Sequence, residues 1–521
     1  MELHDRELIQ LLGILVGVGA LLFVAPTTRI PYPILMVLGG LVLSFVPGLP
    51  DFDLPPELVL VAFLPPLLYL AAFFTSLRDL RANLQPIGML AIGLVAATTV
   101  GVAIVAHEVV DGLPWAAAFV LGAIVAPTDP IAATSIASRL GAPRRIVTVI
   151  EGESLVNDAT ALVLYRVAVV AVTTGAFSLW EAGGRLVLNA IAGIAIGLAV
   201  GYVVRQVRKR MSDPPSEIAI SLLTGYLAYL PAEALGVSAV LAAVTVGIYL
   251  GWHTPELTDA QTRLQGFAFW TILTFILNAA LFTLVGLQLP SVLDGLDAWS
   301  RWELVGASAA VCATVVLVRI AFVLVFAYLR RSTLRMRNAL IVSWAGMRGA
   351  VSLAAALAIP LETDTGAPFP DRELIIFLAF FVILVTLVGQ GMTLPALIRA
   401  LRIEDDGLEA QEEAKARKRA AMAALARLEQ LEGEDWVMAD TAGRLRGLYD
   451  FRVRRFGERF HDSDGANEAQ SLSYQRLRRE LLDAERSAVL DLRREGVVSD
   501  DVMNRVLRDI ALEDVRLDFE R

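Results

Sequence analysis

The sequence runs to 521 residues, 56% of them hydrophobic and 19% charged, with a mean hydropathy of +0.61. A soluble domain carries about 25% charged residues, so the deficit points to a membrane. A net charge of −9 without any like-signed block gives nucleic acid nothing to bind, and the lone Cys312 excludes intrachain disulfides and zinc-type ligand sets.

The charge is unevenly placed. Residues 402–521 hold 50 of the 99 charged side chains in under a quarter of the length. This predicts an apolar body over 1–402 and a water-soluble helical tail over 403–521. The first residues carry Glu2, Asp5 and Glu7 against Arg6, unlike the positive start of a secretory signal. Leu8 to Ala25 reads instead as a first span.

A span needs about 20 mostly apolar residues. That rule predicts thirteen, at 8–25, 31–47, 56–75, 84–106, 115–138, 146–173, 182–204, 216–231, 237–251, 264–289, 303–329, 338–360 and 373–400. The two short ones at 216–231 and 237–251 have a single re-entrant hairpin as their alternative. Alternate loops check the count. One set holds Arg29, Arg78, Arg81, Arg139, Arg144, Arg145, Arg205, Arg208, Lys209, Arg210, Arg263, Arg330, Arg331, Arg335 and Arg337. The other holds only Arg185, Arg301 and Arg372, among acids such as Asp51, Asp53, Glu108, Asp111, Asp294 and Asp297. Positive loops stay inside, so the N-terminus is expected outside and the tail in the cytoplasm.

Thirteen spans permit two six-span halves of opposite orientation, and transporters built this way break helices at matching places. The fifth span is interrupted at Ala126-Pro127-Thr128-Asp129-Pro130, because proline removes a donor and clashes with the preceding turn. The twelfth carries Trp344-Ala345-Gly346-Met347-Arg348-Gly349, where paired glycines loosen the helix around an arginine. A charge inside a break in both halves favours an ion pathway over a packing kink.

The sixth span carries Glu151-Gly152-Glu153-Ser154-Leu155-Val156-Asn157-Asp158. Residues three or four apart share a helix face, so Glu153 and Asn157 form one stripe and Ser154 and Asp158 the next. Asp158 therefore stands beside the Ser154 hydroxyl, and an unwound fifth span can add Thr128 through its carbonyl or hydroxyl. These are hard oxygen ligands suited to a small alkali cation, and a carboxylate also accepts a proton. One site holding either ion in turn is the minimal machine for exchange. Glu153, on the other stripe, needs a permanent cation. Arg319, too deep in the eleventh span to snorkel, is the expected partner in a structural ion pair. Arg348 is the alternative; otherwise it balances carbonyl ends or Asp129 where the broken helices cross.

Weaker signals remain. Gly193, Gly197 and Gly201 form a small-residue packing stripe. His107 and His253 sit at span ends, Leu64-Pro65-Pro66-Leu67 reads as a kink, and Thr386 and Gln390 are polar in the last span. In the tail, 410–431 and 472–495 read as helices, with a loop at Gly465-Ala466-Asn467.

Together the A-P-T-D-P, E-G-E-S-L-V-N-D and W-A-G-M-R-G-A-V-S-L stretches strongly resemble bacterial sodium/proton antiporters related to the eukaryotic sodium/proton exchangers, over most of residues 8–402. The resemblance implies an all-α polytopic fold of thirteen spans with two inverted repeats. It also implies a core domain (about 84–173 and 303–400) moving in an elevator-like manner against a dimerisation domain, usually in a homodimer. Asp158 is then the ion-carrying carboxylate, with Thr128 and Ser154 as partners, Asp129 in the same site and Asn157 holding the crossing helices. The Asn157-Asp158 pair, in place of two aspartates, resembles the electroneutral branch. No cofactor is implied beyond the transported Na+ or Li+ and H+, and the partners implied are membrane lipid and a second copy. Potassium is the close alternative. A cation channel is a different class, disfavoured because no repeated filter loop appears, and an intramembrane enzyme lacks a metal-ligand or Ser/His set. One departure stands out: Leu70 occupies the place of the acid in the relatives' L-P-P-x-x-x-E pattern.

Overall fold

The computed structural model describes residues 17, 19, 23, 30–45, 56–175, 179–293, 296, 299–329, 336–403, 407–458 and 465–519. The expected first span, 8–25, lies almost wholly outside the described residues. So do the loop positions Arg29, Asp51, Asp53, Asp294, Asp297, Arg330, Arg331 and Arg335. The chain divides into two compact units, Met1–Asp405 and Asp406–Arg521. Their described residues are helical throughout, apart from one isolated bridge between Glu362 and Pro368.

In the first unit the helices are α1 (Tyr32–Leu43), α2 (Pro56–Phe74), the short α3 (Leu77–Ala82), α4 (Leu84–Val109), α5 (Trp115–Val125), α6 (Pro130–Arg139) and α7 (Arg144–Thr174). Then come α8 (Leu179–Arg208), α9 (Pro214–Ala234), α10 (Ala239–Leu257), α11 (Ala260–Leu287), the short α12 (Leu289–Leu293) and α13 (Arg301–Leu329). The series ends with α14 (Met336–Trp344), α15 (Ala350–Leu357) and α16 (Arg372–Ala400). Among the described residues, seven segments are long and apolar enough to cross a bilayer: α4, α5 with α6, α7, Val187–Arg208 of α8, α11, α13 and α16. The protein is thus a helical polytopic membrane protein. The intervals 216–231 and 237–251 hold two helices, α9 and α10, joined through residues 235–238.

The proline pair in the third span leaves α2 unbroken, with Pro65 and Pro66 inside it. Pro66 has no N–H for the carbonyl of Ala62, one turn back. The Tyr226 hydroxyl of α9 donates to that carbonyl instead, at 3.0 Å. The expected glycine stripe of α8 faces α10: a Cβ on Gly193 would meet Ser238, on Gly197 Ala242 and on Gly201 the Tyr249 ring. Two further features had no sequence signature. Single π-helical turns interrupt α4 at Met89–Leu94 and α16 at Val385–Gln390.

Arg208, counted by sequence among the cytoplasmic loop arginines, is instead only 4% exposed. It binds Glu217 at 3.3 Å, Thr254 at 3.1 Å and Thr258 at 3.0 Å, tying the ends of α8 and α10 to the start of α9. Loop counting could not separate this buried arginine from its solvated neighbours Lys209 and Arg210.

Two large apolar cores and a small cluster of Val95, Ala126 and Ala161 occupy this unit among the described residues. One large core joins α4 to α7 and α13 to α16 with α1 and the end of α11; the other joins α2 to α8, α9, α10 and the middle of α11. The second unit contains α17 (Leu408–Leu431), α18 (Ala439–Glu458), α19 (Gly465–Arg494) and α20 (Asp500–Phe519). The expected loop at Gly465-Ala466-Asn467 is the first turn of α19. Leu482, Ile510 and Leu517 form a small core between α19 and α20, and the Arg417 guanidinium stacks 5.5 Å over the Phe456 ring between α17 and α18.

Helices α1 and α11 touch backbone to backbone. A Cβ on Gly40 would strike the Thr283 carbonyl, and one on Gly286 the backbone of Val37 and Leu41. Overpacking of this kind costs about 1–3 kcal/mol. Gly40→Ala and Gly286→Ala should each lower the melting temperature of detergent-purified protein by a few degrees. Gly306→Ala, with nothing within 4 Å, should leave it unchanged.

Candidate functional site

The two expected helix breaks meet. Residues 126–129 separate α5 from α6, residues 345–349 separate α14 from α15, and the Asp129 N–H donates to the Met347 carbonyl at 2.8 Å across the crossing. Breaking a helix in the membrane strands carbonyls at one end and N–H groups at the other, with partial charges to match. Each kind of end receives its counter-charge. The buried Arg348 donates through Nε to the Val125 carbonyl at the end of α5, at 3.0 Å, and through Nη1 to the Gly346 carbonyl. Its backbone N–H is held by the Thr386 hydroxyl at 3.1 Å. Asp129 caps the opposite ends: its Oδ1 accepts from the Ile131 N–H at 2.9 Å, opening α6. Its carboxylate also lies so close to Gly349, at the start of α15, that a Cβ there would collide with it. Arg348 therefore serves the carbonyl ends.

Arg319 takes Glu153. Both are about 1% exposed, and the guanidinium grips the carboxylate bidentately at 2.5 and 2.9 Å. The remaining guanidinium donors go to the Val342 carbonyl at 2.9 and 3.2 Å, near the end of α14. Gly346 leaves room for this arginine, since a Cβ there would strike its side chain. The network continues into the other break. The Thr128 hydroxyl donates to Glu153 Oε1 at 3.2 Å and accepts from Asn157 Nδ2 at 2.9 Å. Thus the stripe that sequence assigned to Glu153 and Asn157 closes on Thr128, whose hydroxyl proton serves Glu153 rather than Asp158.

The other stripe faces empty space. Ser154 and Asp158 line a cavity of about 360 Å³, together with Thr128, Asp129, Ser352 and Leu70. Asp158 is 5% exposed, and no donor among the described residues reaches its carboxylate. One wall of the cavity comes from the broken helices and α7, the other from α2 and α11. It extends to Phe74 and Thr75 at the end of α2 and to Glu151 near the start of α7, beside Arg78 and Arg144. The place of the missing acid, Leu70, faces this same cavity.

The lesser candidates fall outside it. His107 bonds the Leu113 carbonyl at 2.7 Å and stacks on Trp115, and His253 bonds the Tyr249 carbonyl at 2.8 Å. Gln390 is buried with both amide atoms unpartnered. Sequence reasoning passed over Thr274 and Asn278 of α11, which line the cavity. A neutral side chain in an apolar span gives no charge signal to notice.

Broken helices that cross in a membrane protein, beside a buried carboxylate that no donor among the described residues reaches, are the arrangement of a secondary transporter. The comparisons give the family. The family model "Sodium/hydrogen exchanger, transmembrane" matches residues 13–400. An uncharacterised Na(+)/H(+) exchanger of Mycobacterium tuberculosis is 39% identical over 510 residues, 94% of this chain and 92% of its own. The sodium, potassium, lithium and rubidium/H(+) antiporter of Bacillus subtilis is 36% identical over 387 residues, 71% of this chain and 58% of its own. The sodium proton antiporter MjNhaP1 of Methanocaldococcus jannaschii superposes with a TM-score of 0.57 at 20% identity, covering 76% of this chain and 99% of its own, and so shares the fold. The chain belongs to the sodium/hydrogen exchanger family, as a bacterial monovalent cation:proton antiporter. It is a transporter, not an enzyme.

Removing one partner of a buried ion pair strands the other charge and costs about 3–5 kcal/mol. Arg319→Ala should therefore cut yield and melting temperature sharply, and adding Glu153→Gln should recover part of both. A melting temperature for Arg319→Ala equal to the parent's would exclude a structural role for the pair.

Proposed function

We propose that the protein exchanges Na+ or Li+ for H+ across the cell membrane, one for one, with Asp158 holding the cation or the proton in turn. The observation that carries this reading is the Asp158 carboxylate itself: buried, without a donor among the described residues, and open to a cavity of about 360 Å³. A charge at that depth costs about 3 kcal/mol on insertion scales, so a resting state without a partner calls for an occupant. Asp129, Ser154 and Thr128, through its carbonyl, are the oxygens proposed to complete the cation shell. Since the cation and the proton compete for the same oxygens, one must leave before the other binds, and that competition is the coupling. Asn157 is neutral and tied to Thr128, which leaves a single titrating group at the 157–158 pair and supports an electroneutral cycle.

The same reading proposes thirteen spans in two inverted six-helix repeats, with the core helices (about 84–173 and 303–400) carrying the site in an elevator motion. The cavity supports such a motion, because core residues form one wall and α2 and α11 the other. A homodimer, an outside N-terminus and a cytoplasmic domain at 403–521 complete the proposal. Potassium exchange is the second reading. It is favoured by the name of the Bacillus subtilis relative and by the apolar Leu70 wall, which supplies fewer ligands to a small cation.

Everted membrane vesicles from an antiporter-deficient host test this, with proton flux followed by a pH-sensitive dye as Na+, Li+ or K+ is added. The parent should respond to Na+ and Li+, and a response to K+ alone would select the second reading. Asp158→Asn should abolish the flux while the protein remains folded in the membrane. Sodium-driven flux in that variant would overturn the assignment.

A further inference from the structure

The antiport reading leaves the wall of the cavity opposite Asp158 without a role, and that wall is where polar groups stand unused. Asn278 of α11 is 2% exposed, and its Oδ1 has no hydrogen-bond partner. Thr274, one turn earlier on the same face, has a buried hydroxyl that is also unpartnered. Two other threonines of α11 are settled, whereas the Thr262 hydroxyl, near the helix start and outside the cavity, is unpartnered as well. The Thr271 and Thr283 hydroxyls each donate to the carbonyl four residues back, both at 2.8 Å, the ordinary way for a threonine to settle inside an apolar helix. Both free groups line the cavity that holds Asp129 and Asp158. The rest of their wall is apolar, leucines and alanine from α2 with Leu281 and Phe74, apart from Thr75, whose hydroxyl donates to the Ala71 carbonyl at 2.6 Å. The Asn278 amide stands beside the Tyr32 hydroxyl of α1. Tyr32 stacks on Phe275 at 5.3 Å, so the tyrosine and the helix bearing Asn278 hold each other in place.

We infer that Asn278 and Thr274 are the second half of the cation site, two neutral oxygens that α11 presents to the ion held by Asp158. This rests on the antiport reading and deepens it. An amide carbonyl and a hydroxyl are hard ligands for an alkali cation, but neither takes up a proton near neutral pH. They therefore strengthen cation binding without strengthening proton binding, which shifts the competition at Asp158 toward the cation. Because α11 lies outside the moving core helices, the shell is complete only while the cavity is open as it is here. The extra affinity belongs to the face on which Phe74, Thr75 and Glu151 lie, and is lost when the core carries the ion away.

The test uses the full chain in everted and right-side-out vesicles, comparing the parent with Asn278→Ala, Thr274→Val and the oxygen-retaining Asn278→Ser. Losing one neutral ligand should raise the half-saturating Na+ concentration about fivefold for Asn278→Ala, and less for Thr274→Val. The rise should appear in the orientation that presents the arginine-loop face to the added Na+, and Asn278→Ser should recover part of it. Melting temperatures measured without Na+ should match the parent's, which separates ligation from packing. Half-saturation unchanged in both Asn278→Ala and Thr274→Val, or raised equally in the two orientations, would overturn the inference while the parent's own exchange still stands. A parent without Na+-driven proton flux would sink the antiport reading and this inference together.

Discussion

Arg319 and Glu153 are the interaction on which the transmembrane unit depends. Two helix breaks must be held against each other in a medium that offers the freed backbone groups no water. The pair does this because each partner reaches beyond the other: Arg319 to the carbonyl of Val342 in α14, Glu153 to the hydroxyl of Thr128 in the α5–α6 break. One contact thereby fastens α7, α13 and both broken helices. Its net contribution to stability is small, since desolvating two charges offsets most of their attraction, but the penalty for separating them is large. Geometry is what the pair supplies.

Around that lock the polar groups divide by whether their capacity is used. Arg348 and Asp129 answer the opposed partial charges at the helix ends, the arginine at the carbonyls and the aspartate at the N–H groups. Glu153, Thr128 and the Asn157 amide N–H are linked in one chain of hydrogen bonds, although the Asn157 Oδ1 has no partner. Asp158, one residue beyond Asn157, is turned about 100° around α7 and meets none of them. The rotation between neighbouring residues of a helix thus separates a structural stripe from a cavity-facing one. The Asp158 carboxylate is thereby kept out of the hydrogen-bond chain that its neighbours form.

Much of this was legible in the sequence because it rests on local rules. Pro127 and Pro130 mark one break and Gly346 and Gly349 the other, since those residue types cannot sustain a helix ladder there. The spacing of Glu153, Ser154, Asn157 and Asp158 sorts them onto faces without any coordinates. The depth of Arg319 singled it out as a partner for Glu153. What escaped depends on long-range contacts. Arg208 looks like any loop arginine until Glu217, Thr254 and Thr258 are seen around it. The π turns of α4 and α16 have no compositional mark. Thr128 was placed at the right break, but its hydroxyl had two suitors, and only packing decides that Glu153 receives the proton.

The neutral side chains of α11 show the same limit from the opposite side. A buried donor or acceptor normally finds a partner, because leaving it unmade costs about 1–3 kcal/mol. Where a threonine fails to bond its own helix and an asparagine one turn later leaves its oxygen bare, packing has left their oxygens free. Both face the one cavity that also holds an unpaired carboxylate. Asp158 stands on one wall of that space and the two α11 oxygens on the other, and a cation between the walls would satisfy all three at once. A proton on Asp158 would satisfy the carboxylate alone, leaving the α11 oxygens as they are. On the proposed antiport cycle, that difference in what each occupant repairs would give the protein a physical basis for telling the two ions apart.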